Sequence, residues 1–219
     1  MHLIMDKYKC VYSIGARCGT EMILKEMKLT RFSSVFGSCE ISNADNIIKC
    51  LDSRFDLLFN PAHLLFTKNM SQFKTLNDEH GNRTLNKKFD NTNEWHCATI
   101  AHHDLSEESA KDHFERAIQR FYKLINNEIP TLFIFTGPNI ELQKCRELAD
   151  RFQKETRKFH ILFCNFAKDS TIIKRVTDPF FTIYDVDHER ELHTILKNYD
   201  LTDLISIEEI DSKRLFVKS

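Results

Sequence analysis

Two uninterrupted apolar runs, Thr131-Leu132-Phe133-Ile134-Phe135-Thr136-Gly137 and Phe159-His160-Ile161-Leu162-Phe163-Cys164, set the tightest limit on the fold. Neither alternates between apolar and polar positions, so neither suits a sheet with one wet face. Such strands are buried on both faces, as in parallel sheets. Parallel neighbours need a crossover. Between the two runs Leu142, Cys145, Leu148 and Phe152 recur at helical spacing, with Asn139 expected to open the helix. A further strand over 180–184 and a helix carrying Leu192, Ile195 and Leu196 follow. Upstream, a short strand over 95–101 precedes a helix that Ser106 is placed to cap, with Glu107 and Glu108 in its first turn. Along that helix Ala110, Phe114, Ala117, Ile118, Phe121, Leu124 and Ile125 trace one apolar stripe. This order implies βαβ units: an α/β fold, a mostly parallel sheet flanked by helices in three layers. One domain over 1–219 is expected. The polar stretch 67–94 is read as a surface excursion with room for a hairpin.

The first strand and helix carry the candidate chemistry. The apolar run 10–14 stops at Gly15, and from Cys18 onward Ile23 and Met27 stand four apart, as on a helix. Cys18 then falls at the first turn of a helix, where unpaired backbone N–H groups favour an anion, and Arg17 adds a positive charge beside it. Both effects lower a thiol pKa, which makes Cys18 the candidate nucleophile. The backbone of the Gly15-Ala16-Arg17-Cys18-Gly19 turn is suited to hold an oxyanion, and equally a phosphate. The loop Arg31-Phe32-Ser33-Ser34-Val35-Phe36-Gly37-Ser38 is expected to line a cleft, with Ser34 and Phe36 as substrate-binding candidates. Behind it, Ser42 and Asp45 look like a helix start.

A thiolate needs an imidazole, and the imidazole needs a third group to orient it. His102 and His103 close the strand over 95–101, in the place where α/β sheets collect ligands. His103 is the preferred base and His102 a substrate-side neighbour. Asp185 and Asp187, just past the strand over 180–184, are the first candidates for orienter, ahead of Asn165. Two other constellations are weaker. His96-Cys97 with His102-His103 offers zinc-type ligands at no standard spacing, so no metal is expected. Gly137-Pro138-Asn139 lacks the glycines and lysine of a phosphate loop and reads as a turn. No cofactor is called for.

Composition narrows the partners. With 31 Lys+Arg against 32 Asp+Glu, the formal net charge of −1 argues against a broad nucleic-acid surface. The seven cysteines form no CxxC pair and sit in apolar patterns, as reduced core residues do. No signal peptide and no apolar run of membrane-spanning length is seen. The expectation is a cytoplasmic protein acting on a peptide, protein or small acyl substrate, without membrane or nucleic acid.

Ser13-Ile14-Gly15, then Cys18, then Leu29-Thr30-Arg31-Phe32-Ser33 resemble the opening of the papain-like cysteine peptidases of a largely uncharacterised family. His103-Asp104, the helix from Phe114 to Phe121 and the strand from Leu132 to Phe135 look like that family's later blocks in the same order. The resemblance implies Cys18 as nucleophile and His103 as general base. The family's loop reads proline-phenylalanine-aspartate-tryptophan where this chain has Val35-Phe36-Gly37-Ser38, so an acid is missing. The expected activity is a cysteine-dependent hydrolase or transferase of the peptidase type. The alternative is a non-catalytic α/β binding module for a partner protein or a phosphorylated or nucleotide-sugar ligand.

Overall fold

The computed structural model describes residues 7–15, 18–37, 39–41, 43–59, 62, 64–68, 82–86, 98–101, 108–168 and 171–214. In chain order the elements are β1 (Cys10–Ser13), α1 (Cys18–Glu26), β2 (Cys39–Ile41), α2 (Ala44–Asp52), α3 (Asp56–Phe59), β3 (Leu64–Lys68), β4 (Asn82–Asn86) and β5 (Ala98–Ala101). The second half continues with α4 (Glu108–Asn126), β6 (Thr131–Pro138), α5 (Leu142–Gln153), β7 (Phe159–Phe166), β8 (Ile173–Thr177) and β9 (Phe181–Val186). A 3-10 turn (Glu189–Glu191), α6 (Leu192–Leu196) and α7 (Ile207–Ser212) end it.

The main sheet has the order β1-β6-β7-β9-β8. The first four strands are parallel, and β8 runs antiparallel along the edge of β9. Alternation along the strands divides the core in two. Tyr12, Phe133, Phe135, Ile161, Phe163 and Ile183 face a layer built from α2, α4, α5 and α7. Val11, Leu132, Ile134, Leu162, Cys164 and Tyr184 face α1 and α6. The result is the expected three-layer α/β arrangement, because strands apolar at every position must be covered on both sides. Phe121 of α4 is the hub of the thicker layer, its ring meeting those of Tyr12, Phe36, Phe55, Phe133 and Phe152. Each such buried ring contributes roughly 2–3 kcal/mol by apolar burial.

A second, antiparallel sheet has the order β2-β5-β4-β3. The pairing of β3 with β4 supplies the hairpin of the polar excursion, from Leu64↔Asn86 to Lys68↔Asn82. Its connection over 69–81 lies outside the described residues, as does Ser106.

Two helix starts differ from expectation. Asn139 adopts a left-handed φ of 55° and precedes α5, whose N-cap residue is Glu141. An asparagine tolerates that conformation and makes a turn there rather than a cap. The cap of α2 is Asn43, whose side chain accepts the backbone N–H of Asn46.

Candidate active site

Strands β1 and β6 lie side by side, yet the chain leaves them for opposite faces of the sheet. From β1 it enters α1, where Ile23 and Leu24 pack with Val11 and Leu132. From β6 it enters α5, where Cys145, Leu148 and Phe152 pack with Phe133 on the other side. Adjacent strands that diverge in this way open a crevice at their carboxyl ends, the usual ligand site of an open α/β sheet. Cys18, the first residue of α1, stands at this crevice.

Cys18 is half-buried, whereas Cys10, Cys39, Cys50, Cys145 and Cys164 are buried. Burial pushes the Cys145 thiol up to about 12 and those of Cys10 and Cys164 beyond the ordinary range. The Cys50 thiol is raised by burial and then by neighbouring Cys39. These thiols stay protonated and inert. Among the described cysteines, Cys18 alone combines exposure with a helix amino end.

The turn that delivers Cys18 is tightly anchored. Gly15 takes a φ of 131°, which side-chain-bearing residues rarely adopt, and its carbonyl accepts the N–H of Thr136 at 3.3 Å. Inside the first turn of α1, the hydroxyls of Thr20 and Thr136 share a hydrogen bond of 2.6 Å. At Gly19 a β-carbon would lie 3.2 Å from one carboxylate oxygen of Glu189 and nearer to the other, so a side chain there would displace the Glu189 carboxylate. The hydroxyl of Ser13 is buried at the end of β1 with no hydrogen-bond partner among the described residues.

The loop after α1 is folded onto the end of β1. Ser34 Oγ donates to the Ser13 carbonyl at 2.6 Å, and Phe36 N–H donates to Ser34 Oγ at 2.9 Å. Val35 N–H donates to the Tyr12 hydroxyl at 2.8 Å, and Ser34 N–H to Glu21 Oε2 at 3.2 Å. Glu21 is only 3% exposed, and its other oxygen pairs with Lys25 at 2.9 Å. A β-carbon at Gly37 would collide with the Glu21 carboxylate, 2.9 Å from its Oε1. At the position where the resembled family carries aspartate, the space is therefore filled by an acid reaching over from α1. Nothing in the sequence pattern marked Glu21 for this role, since a first-turn acid on a helix usually faces solvent.

The residues named from sequence separate into groups. Cys18, Gly15, Gly19 and Ser34 gather at the ends of β1 and α1. Phe36 is fully buried, its ring held against Phe55 and Phe121 in the core. Asp185 lies at the end of β9 and accepts Asn165 Nδ2 at 2.8 Å and Arg175 at 3.0 Å. Asn165 in turn accepts the Ile140 N–H at 2.9 Å, and Arg175 donates to the Ile140 carbonyl at 2.8 Å. That network braces the start of α5, on the face of the sheet away from α1. Asp187 is exposed, and its N–H donates to Glu191 Oε2 at 2.8 Å.

Arg17, His102 and His103 lie outside the described residues, as do His96 and Cys97. Among the described residues, no three His, Cys, Asp or Glu gather to hold a metal. The strand that precedes the two histidines pairs antiparallel with β2 in the register Cys39↔Ile100. The chain thus leaves β5 beside Cys39, at the end of β2 that leads back to Phe36 and Gly37.

Residues 9–169 match the family model described as "Putative papain-like cysteine peptidase (DUF1796)". No curated protein matches the chain, and no solved structure matches it.

Proposed function

The chain belongs to the putative papain-like cysteine peptidase family, and on that premise we propose that it is a cysteine-dependent hydrolase or transferase acting through Cys18. The observation that carries this reading is a half-exposed thiol at the amino end of α1, in the crevice between β1 and β6, in a chain whose other described cysteines are buried.

In the proposed reaction the Cys18 thiolate attacks the carbonyl carbon of a peptide or acyl substrate. The new oxyanion accepts hydrogen bonds from backbone N–H groups at the start of α1. His103 holds the thiol proton as an imidazolium and delivers it to the leaving amine as the tetrahedral intermediate collapses to a thioester. It then takes a proton from a water molecule that attacks the thioester carbonyl; the C–S bond breaks, the acid leaves, and the thiolate–imidazolium pair is restored. Support for His103 comes from the β2–β5 register, which brings the end of β5 to the loop tied to Ser13 and Glu21. The imidazolium needs an acid to steady it; of the two that the sequence offers, Asp185 is bound by Asn165 and Arg175 on the face away from α1, and Asp187 lies just past β9. The substrate is a peptide, protein or small acyl compound in the cytoplasm. No helix among the described residues is long and apolar enough to cross a membrane.

The test is a peptidyl epoxysuccinate, an electrophile opened by activated thiolates, followed by peptide mapping. The expected adduct is on Cys18 and is lost in His103→Ala. An unmodified Cys18, or equal modification without His103, contradicts the proposal and favours a binding module in which the thiol is merely packed.

A further inference from the structure

Helix α1 turns one face to the sheet and the other to water. Thr20, Glu21, Ile23 and Leu24 are buried, while Cys18 is half-buried and Met22, Lys25 and Glu26 are exposed. Counted from Cys18, these outward positions fall at i+4, i+7 and i+8, which makes them one stripe of a helix. Polar residues belong on such a stripe, and Lys25 and Glu26 conform. Met22 does not, and it is 58% exposed.

A single apolar residue on a surface is ordinary. The position of Met22 is what gives it meaning. Among the described residues one other large hydrophobic is exposed, Ile173 on the edge strand β8. Met22 follows Cys18 by one turn on the same stripe, about 6 Å further along the helix axis. Side chains on a helix lean toward its amino end, so the methionine covers the surface over the preceding turn. That turn carries the thiol, and Cys18 and Met22 therefore share one patch of surface.

The patch is one side chain long. Beyond it on the stripe, Lys25 is bonded to the buried Glu21 carboxylate at 2.9 Å, and Glu26 is exposed. An apolar area of that size, bounded by charges, suits one apolar side chain of a bound peptide. The face of a protein partner needs several hundred Å². The unbranched thioether adapts to aliphatic and aromatic groups alike. Resting on the Cys18 reading above, we propose that Met22 is a specificity-determining residue of this site. It receives an apolar side chain of a peptide substrate, beside the carbonyl that Cys18 attacks.

The experiment compares two peptidyl epoxysuccinates that differ in one residue, leucine or aspartate, next to the reactive group. Peptide mapping gives the rate of Cys18 modification in the wild type, Met22→Leu, Met22→Ser, Met22→Lys and Ile173→Ser. Each rate is divided by the same protein's rate with iodoacetamide, so that a change in the thiol itself cancels. The wild type is expected to prefer leucine by roughly tenfold or more. Met22→Leu keeps the preference, Met22→Ser cuts it roughly fivefold or more, and Met22→Lys moves it toward aspartate. Ile173→Ser keeps the wild-type preference. Protection of the buried Cys10, Cys50 and Cys164 from iodoacetamide shows that each variant is folded. A wild type without preference, or a preference that Met22→Ser leaves intact, overturns the inference while the reactive thiol stands. A Cys18 that neither epoxysuccinate modifies overturns the reading of Cys18 itself.

Discussion

The carboxyl edge of the main sheet ends in two polar corners that differ in how completely they are matched. At the β7–β9 corner, Asn165, Asp185, Arg175 and the Ile140 backbone satisfy one another in a closed set. At the β1–α1 corner, two glycines face carboxylates with no room between, Ser13 carries a buried hydroxyl without a partner among the described residues, and a thiol stands half-exposed. Closed networks of buried polar groups brace a fold. Incomplete ones in native proteins need a further explanation, and a catalytic role is one. Both corners lie just past strand ends and both contain acids, so position alone does not distinguish them. The difference lies in the buried Ser13 hydroxyl and in the exposure of the thiol.

The sharpest way to break this contrast is to remove the thiol. Cys18→Ala is expected to abolish adduct formation by the epoxysuccinate entirely while leaving the melting temperature unchanged. An adduct that persists on another cysteine places the reactive centre elsewhere.

Acid bounds the range in which the corners can be compared. Burial lowers the pKa of His160 from 6.5 to about 4, and the neutral ring bonds Thr182 Oγ1 at 2.9 Å. The folded value lies below the unfolded one, so unfolding takes up a proton in acid. The contribution is fully present above pH 6.5 and is lost as pH falls from 6.5 toward 4. The loss amounts to roughly 3 kcal/mol over that window. Urea denaturation at pH 7 and 4.5 reads it, and His160→Gln is expected to flatten the dependence.

Gly37→Ala probes the crowding at the β1–α1 corner. Its β-carbon displaces the Glu21 carboxylate and strands the buried Ser34 N–H, at a cost of about 1–3 kcal/mol. In a Glu21→Ala background the same change is expected to cost little, because the colliding group is gone. Additive losses in chemical denaturation would mean that the two positions do not interact.

The smallest effect belongs to the matched corner. Asp185→Asn is expected to cost about 1 kcal/mol by weakening charge-assisted bonds to Arg175 and Asn165. The epoxysuccinate adduct on Cys18 should form at the wild-type rate. A slower reaction would draw Asp185 into the site.

The elements that were legible in the sequence are those whose packing leaves a pattern. Strands β6 and β7 are apolar at nearly every position because both faces are covered, and the α4 stripe repeats because one face is. Strand β8 left no such trace. Ile173-Lys174-Arg175-Val176-Thr177 is mostly exposed on an edge, where backbone pairing with β9 rather than burial holds it. The helix α7 and the strand β2 are too short for a period to show. The position of Cys18 at the start of α1 was legible because a glycine break and a helical onset flank it. Those of Glu21 and Glu189 were not. Their carboxylates lie against Gly37 and Gly19, which are distant in sequence and supply only the space that the carboxylates enter. The acidic run from Asp185 to Glu191 also resembles an ordinary solvated helix start.

The account stands on the ionisation of one sulfur. The most direct measurement is the rate of Cys18 alkylation by iodoacetamide at pH 6, in the folded protein and in the same protein unfolded by urea. The account predicts that the folded rate exceeds the unfolded one by roughly tenfold or more, since a thiolate persists well below the ordinary thiol pKa. A folded rate equal to or below the unfolded one would contradict it.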